Sequence, residues 1–149
     1  MVKGKNAWKI ATTTGDFALF CESDIDRIRE LHLAGFRYVD LSMYCFTPDH
    51  VYMRDGWKDA VKELKTVANE LGMTFVQAHS QGGNALIDDK SHVDFLVNAT
   101  IRSIEICEIL GIKNTVVHAG FKAGVSKEQW FKKTKNFTEN FYRRQSGAG

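Results

Sequence analysis

Blocks of helical and β-type apolar spacing alternate along the chain, and the blocks repeat. The stretches AGFRYVDLS, LGMTFVQAHS and LGIKNTVVHAG align on three glycines, Gly35, Gly72 and Gly111, which are 37 and 39 residues apart. Each glycine follows a stretch with helical spacing and precedes a β-rich run of about seven residues. The pattern predicts a repeated unit in which a helix ends at a glycine and leads into a strand.

Four helices are predicted, because apolar residues recur every three or four positions in four stretches. Each stretch starts with residues typical of a helix N-terminus: Ser23 with Asp26, Gly56, Ser91 with Asp94, and Ser126 with Gln129. A short β-rich run from Trp8 to Thr14 precedes the first helix. The order β-α-β-α-β-α-β-α predicts an α/β fold with right-handed crossovers and a parallel sheet. We expect residues 1–144 to form one domain and residues 145–149 a tail.

The two faces of the predicted strands differ in polarity. Counted from the glycine of each unit, positions 4 and 6 carry Val39 and Leu41, Val76 and Ala78, and Thr115 and Val117. Positions 3, 5 and 7 carry Tyr38, Asp40 and Ser42, then Phe75, Gln77 and His79, then Asn114, Val116 and His118. A doubly wound sheet has apolar strands because helices cover both of its faces. A polar second face indicates the inside of a barrel.

The carboxyl ends of the strands hold the candidate site, because ligands of parallel α/β folds bind there. Ser42, His79 and His118 occupy equivalent positions at these ends, and Asp40 lies one step deeper on the same face. Two imidazoles on adjacent strands have backbones roughly 5 Å apart, close enough to share a metal or grip one substrate.

The other histidines are less informative. His32 and His92 lie within or at the start of helical stretches and are predicted to be structural or exposed, while His50 lies in a loop and stays undecided. That loop, residues 43–55, also contains Tyr44, Phe46 and Tyr52. Its aromatic rings either line a pocket, where a ring can stack on the apolar face of a sugar, or pack against one another.

Composition excludes several classes of protein. The chain has 149 residues, of which 44% are hydrophobic and 26% charged, as in a globular domain. It has no apolar run long enough for a membrane span and no secretory signal at its start, so we expect a cytoplasmic protein without a membrane partner. Cys21, Cys45 and Cys107 are odd in number and form no CxxC pair, which indicates reduced thiols.

The net charge of +2 does not indicate a nucleic acid partner. The segment 122–144 is basic, with seven Lys/Arg and two Glu, and is interpreted as a solvated helix face rather than a phosphate-binding surface.

The strands and one helix together resemble a known family. FRYVDLS with its acidic residue, VQAHS, VVHAG and the helix NATIRSIEICEILGI are similar, in order and spacing, to the xylose isomerase-like TIM barrels. This family comprises sugar isomerases and epimerases together with the endonuclease IV group. The resemblance covers residues 10–144.

The resemblance implies an enzyme that moves protons between adjacent carbons of a ketose or related polyol through an enediolate, with Mn²⁺, Mg²⁺, Co²⁺ or Zn²⁺ as cofactor. It implies that His79 and His118 contact a sugar or sugar phosphate, and we expect Asp40, Ser42 and Tyr44 to join them. In the endonuclease IV branch the matching histidines bind zinc instead.

The sequence departs from the family by stopping after the fourth helix, whereas a complete barrel needs about 250 residues. We therefore expect the N-terminal half of a (β/α)₈ barrel, four βα units without the metal-binding and catalytic carboxylates. It is expected to be inactive alone, to hold no metal tightly, and to self-associate through its open sheet edges.

Two alternatives remain open at this stage. In the first alternative, the chain is a self-contained α/β module that binds a phosphorylated small molecule, aided by backbone amides of glycine-containing loops. In the second, it is a fragment of an endonuclease IV-like abasic-site nuclease. Burial of Asp40, Gln77 and Asn114 under helices would favour the module.

Overall fold

A computed structural model of the chain describes residues 9–145. It contains four strands and four helices in strict alternation, as the repeat predicts. In chain order they are β1 (Ala11–Thr13), α1 (Asp24–Leu33), β2 (Tyr38–Ser42), α2 (Trp57–Glu70), β3 (Thr74–His79), α3 (Lys90–Leu110), β4 (Thr115–Val116) and α4 (Lys127–Gln145). The first strand is shorter than predicted, and Trp8 lies outside the described residues. Helix α4 reaches one residue past the predicted domain limit at 144.

The four strands form one parallel sheet in the order β1-β2-β3-β4. Consecutive order distinguishes this sheet from a doubly wound fold, in which the order reverses at a switch point. It is the order of a barrel whose strands are added one βα unit at a time. The sheet is not closed within the described residues, and the prediction of a half-barrel is confirmed.

Helix starts follow the sequence signals at three of four positions. The hydroxyl of Ser23 accepts a hydrogen bond from the Asp26 backbone amide at 3.1 Å, and Gly56 precedes α2. At α4 the Ser126 amide donates to the Gln129 side chain at 2.9 Å, which completes a capping box. The prediction for α3 is wrong by two residues. Asp89, not Ser91, caps it, because the Asp89 carboxylate accepts from the backbone amide of His92.

The glycines of the repeat end the helices as predicted. Gly35 and Gly111 have φ angles of 95° and 78°, in the left-handed region that side chains disfavour. The chain reverses at these residues and enters the next strand. Each helix and the turn that ends it place the next strand beside the previous one.

The main core lies between the sheet and α1, α2 and α3. Val39, Leu41 and Ala78 on the strands are fully buried, as the two-face prediction requires. They pack against buried residues of the helices, among them Ile28, Leu31, Val61, Leu64 and Ile106. A second cluster, Leu96, Val97, Phe137 and Phe141, joins α3 to α4. The helices therefore cover one face of the sheet.

A β-bulge in β3 corrects the predicted faces. Val39 pairs with Phe75, but Asp40 pairs with Gln77, so Val76 is an extra residue in the ladder. Phe75 packs on the main core, whereas it was predicted on the polar face. Val76, predicted to face the helices, is 37% exposed and lines the open face.

No helix within residues 9–145 has the length and hydrophobicity needed to cross a bilayer.

The three cysteines are free thiols in different surroundings: Cys45 is exposed, Cys21 half-buried and Cys107 buried. Burial raises the pKa of Cys107 to about 11, so this thiol stays protonated and unreactive near pH 8. We expect a disulfide reagent to modify Cys45 rapidly in the native chain and Cys107 only after unfolding in urea. The amount of thiol that the reagent releases over time measures how fast the cysteines are modified. Cys45→Ser should remove the fast phase of this reaction. Equal native rates for all three thiols would contradict the buried position of Cys107.

Candidate functional site

The site is built around the carboxylate of Asp40, in the middle of β2. Its side chain is 12% exposed. One oxygen accepts a hydrogen bond from the Gln77 amide nitrogen at 2.6 Å. Both oxygens lie 3.0 Å from Nδ1 of His79. Asp40 thus links the polar side chains of β2 and β3.

This contact fixes the orientation of His79. A carboxylate only accepts hydrogen bonds, so Nδ1 of the imidazole carries the proton that it donates to Asp40. In the neutral ring, Nε2 is then the nitrogen that can accept a proton or a hydrogen bond from a ligand. The pair holds the imidazole in one tautomer at the end of the strand.

His118 lies over His79, and their rings stack with centroids 6.0 Å apart and planes 17° apart. The stacking follows from the stagger of the sheet. His79 pairs with Val116, so His118 lies two residues farther along the chain than the strand partner of His79. The two residues are equivalent in the repeat but not level in the sheet. Tyr44 also meets His118 edge-on, with ring centroids 6.0 Å apart.

Ser42 is the strand partner of His79, as the repeat predicts. Its backbone amide donates to the Thr14 hydroxyl at 3.0 Å, and its own hydroxyl lies next to Gly15. The structure therefore places Ser42 on the β1 side of the site. The row formed by Tyr44, His118, His79 and Asp40 lies on the other side.

Below the row, the open face of the sheet forms a cleft of about 410 Å³. Strand residues alone line it: Ala11, Thr12, Thr13, Asp40, Val76 and Gln77. Asn114 is exposed as well. Asp40 is therefore buried by its strand neighbours and not by a covering helix, as in the inner wall of a barrel.

The loop after β2 divides its aromatic residues between two roles. Phe46, His50 and Tyr52 pack against one another, with ring centroids 4.6 to 5.9 Å apart. His50 also caps a short turn through Nδ1, which accepts from the Tyr52 amide at 3.2 Å. Tyr44 contacts His118 and is 46% exposed. Phe46 and His50 also line a pocket with Ser42 and Tyr44. The pocket-wall and self-packing hypotheses each describe part of the loop.

Buried charge anchors the same loop to α1. Asp24 lies beneath it, 3.1 Å from the Arg27 guanidinium and in contact with Tyr52. Burial raises the pKa of Asp24, although the nearby guanidinium opposes the shift. Burial also lowers the pKa of His50, so its imidazole is neutral near pH 7 and suited to accepting the Tyr52 hydrogen bond.

The donor set does not fit a resident metal ion. Within residues 9–145 no three His, Cys, Asp or Glu side chains are grouped so that they could hold one. Asp40 already accepts from two donors. The lone pairs of His79 and His118 lie in nearly parallel ring planes, which directs them side by side rather than toward one point.

Gln77 is a site residue that sequence reasoning did not select. It shares position 5 of its unit, and so the predicted polar face, with Asp40. Two polar side chains at one position of adjacent repeats indicate a cross-strand pair. His32 and His92 lie in the last turn of α1 and the first turn of α3, and both are half-buried.

The basic segment lies on the outer layer. Helix α4 packs on α3 through Phe137 and Phe141, and Lys122 and Lys133 both pair with Asp88. The lysines are therefore partly neutralised. They do not line the cleft on the open face.

We expect Asp40→Ala to destabilise the chain by about 1–3 kcal/mol, because it leaves the Gln77 amide and Nδ1 of His79 without their acceptor. Urea unfolding measures the free energy. In nitrogen NMR spectra His79 should change from the Nδ1–H tautomer toward the Nε2–H tautomer.

Asp59→Ala is the matched control, because Asp59 is an exposed carboxylate paired only with Lys62. It should change stability by less than about 0.5 kcal/mol. Equal stabilities of the two variants, with an unchanged His79 tautomer, would contradict the role assigned to Asp40.

Comparisons with known proteins agree with this architecture. The sequence model of the family described as xylose isomerase-like TIM barrel matches residues 28–143. No curated protein matches the chain. Among solved structures, the apo form of 3-keto-D-glucoside 4-epimerase, YcjR, from E. coli is similar in fold, with a TM-score of 0.64 and 18% sequence identity. The match covers 89% of this chain and 50% of that one, so the chain spans about half the length of the epimerase. With most of its length matched, this chain belongs to the xylose isomerase-like TIM barrel family.

Proposed function

We propose that the chain is the substrate-binding half of a sugar isomerase or epimerase. Its ligand is a ketose, a related polyol or a sugar phosphate, and the reaction of the complete enzyme is proton transfer between adjacent carbons through an enediolate. The similar fold of a sugar epimerase supports a sugar substrate. The half-length match supports a division of labour, in which the catalytic groups lie outside these four units.

The row of Tyr44, His118, His79 and Asp40 is the observation that carries this proposal. It combines a polar end, where His79 can hydrogen-bond a hydroxyl group, with an aromatic end. Sugars present both kinds of surface, hydroxyl edges and apolar C–H faces. Asp40 positions His79, and Ser42 borders the β1 side of the same strand ends.

None of these groups supplies a second carboxylate positioned to move a proton between two carbons. We therefore propose that the chain has no turnover alone and does not hold Mn²⁺, Mg²⁺, Co²⁺ or Zn²⁺ tightly. The unsuitable donor set described above supports the second statement. No step of the reaction is assigned to a metal through the residues of this chain.

The two alternative functions have less support. The open polar face argues against a covered α/β module, and the Gly82 amide, one of its candidate anion donors, donates to the Tyr44 carbonyl. The stacked histidines argue against the zinc pair of an abasic-site nuclease.

Titration with ketohexoses and their phosphates tests the proposal. We expect saturable shifts of the His79, His118 and Tyr44 ring signals in NMR spectra. His79→Ala should weaken binding about tenfold, which corresponds to losing about 1.4 kcal/mol. Comparing each sugar with its phosphate shows whether a phosphate group contributes.

His32→Ala is the control for this titration, because His32 lies in α1 away from the strand ends. It should bind like the unchanged chain. Absence of ring shifts with every ketose, binding of inorganic phosphate alone at these residues, or epimerisation by the chain with Mn²⁺ or Co²⁺ would each contradict part of the proposal.

We also propose that the chain self-associates through its open edges. Strands β1 and β4 have no partner on their outer sides within the described part of the chain. Large apolar side chains are exposed near both edges: Ile10, Leu19 and Phe20 near β1, and Phe121, Phe131 and Tyr142 near β4 and on α4. Pairing two copies would cover both sets.

Light scattering over a range of concentrations tests this association. The apparent mass should rise toward that of a dimer, and Phe20→Lys with Phe131→Lys should weaken the rise. Val51→Lys changes an exposed apolar position in the loop after β2, away from both sheet edges; it is the matched control and should not weaken the rise. A constant monomer mass at high concentration would contradict self-association.

A further inference from the structure

Gly82, in the loop after β3, lies directly beneath the ring of Tyr44. A Cβ atom at position 82 would be 2.3 Å from Cζ and 2.4 Å from Cε1 of Tyr44. These distances are far inside van der Waals contact, and the atoms concerned belong to a rigid ring. Any other residue at this position would therefore displace the ring or the loop.

The backbone conformation does not explain this glycine. Gly82 is not among the glycines with positive φ, so a side chain would not be strained there for conformational reasons. The space occupied by Tyr44 is the physical reason for its missing Cβ. Gly15 shares the ordinary φ, but a Cβ there would meet its nearest neighbours only at 3.4 Å.

Hydrogen bonds hold the backbones of the two loops together around this contact. The Met43 amide donates to the His79 carbonyl at 2.8 Å, and the Gly82 amide donates to the Tyr44 carbonyl at 2.9 Å. The pairing of β2 with β3 thus continues past the strand ends. These backbone hydrogen bonds align the two loops without involving the Tyr44 side chain.

The buried side chain of Gln81 adds a further connection. Its oxygen accepts from the Phe46 amide at 2.6 Å, and its nitrogen donates to the Gly82 carbonyl at 2.8 Å. Gln81 is 9% exposed, so both bonds lie where water competes little. Gln81 thus links Phe46, two residues after Tyr44, to Gly82.

We propose that Gly82 is a positioning residue, which provides the space that holds the Tyr44 ring edge-on against His118. Tyr44 then forms a fixed aromatic wall above the histidine pair, and a ligand meets a defined surface rather than a mobile side chain. The effect on a sugar rests on the proposed function. The effect on the Tyr44 ring does not.

A double-mutant cycle of Gly82→Ala and Tyr44→Ala tests this role. If Gly82 acts through the ring, Gly82→Ala should shift the His118 ring protons in the direction that Tyr44→Ala does, because the first displaces the ring from His118 and the second removes it. In the Tyr44→Ala background, where the space is empty, Gly82→Ala should cause no further shift. Gly15→Ala is the matched control and should leave the His118 signals unchanged.

Sugar affinity gives the second measurement on the same four proteins. Gly82→Ala should weaken ketose binding about tenfold alone but less than about twofold in the Tyr44→Ala background, since coupled residues are not additive. Should Gly82→Ala fail to fold, recovery of a folded chain by adding Tyr44→Ala would support the same conclusion.

Two results would overturn the proposal: unchanged His118 signals in Gly82→Ala, or an equal effect of Gly82→Ala with and without Tyr44. If the unchanged chain binds no ketose while the NMR coupling is present, the proposed function fails and the positioning role stands.

Discussion

The register between β2 and β3 is the constraint on which the site depends. If the register of Val39 with Phe75 continued without the bulge, Gln77 would pair with Leu41 and its amide would point into the apolar core. The bulge instead sets Gln77 beside Asp40 and His79 beside Ser42. The shift in register at the bulge therefore keeps a polar amide out of the core and gives the Asp40 carboxylate two donors. Bulges commonly redirect side chains next to functional sites, and this one does so in the middle of the candidate site.

From that register the rest of the row follows by geometry. Asp40 holds His79 through Nδ1, the stagger of β4 brings His118 over His79, and the loop after β2 brings Tyr44 to His118. Helices α1, α2 and α3 contribute no side chain to the row. They bury Val39, Leu41 and Ala78, and so hold the strands whose opposite face carries the polar groups.

Sequence reasoning predicted the element order, the parallel sheet and the polar face, because the glycine of each unit gives a fixed origin for counting. It misassigned Phe75 and Val76, since counting by alternation assumes an unbroken strand and a bulge leaves no local signal there. It missed Asp89 as the cap of α3 because Ser91 and Asp94 offered an equally good local pattern. The contact between Gly82 and Tyr44 joins two loops 38 residues apart, which no periodicity records.

The close approach of Gly82 to Tyr44 also has a consequence for how this sequence can change over evolutionary time. A large ring at position 44 and a missing side chain at position 82 form a single sterically linked pair. A relative with any side chain at 82 must place its residue 44 elsewhere, and a relative with a small residue at 44 loses the requirement for glycine. The two positions should therefore vary together across descendants of this fold, although they lie on different loops.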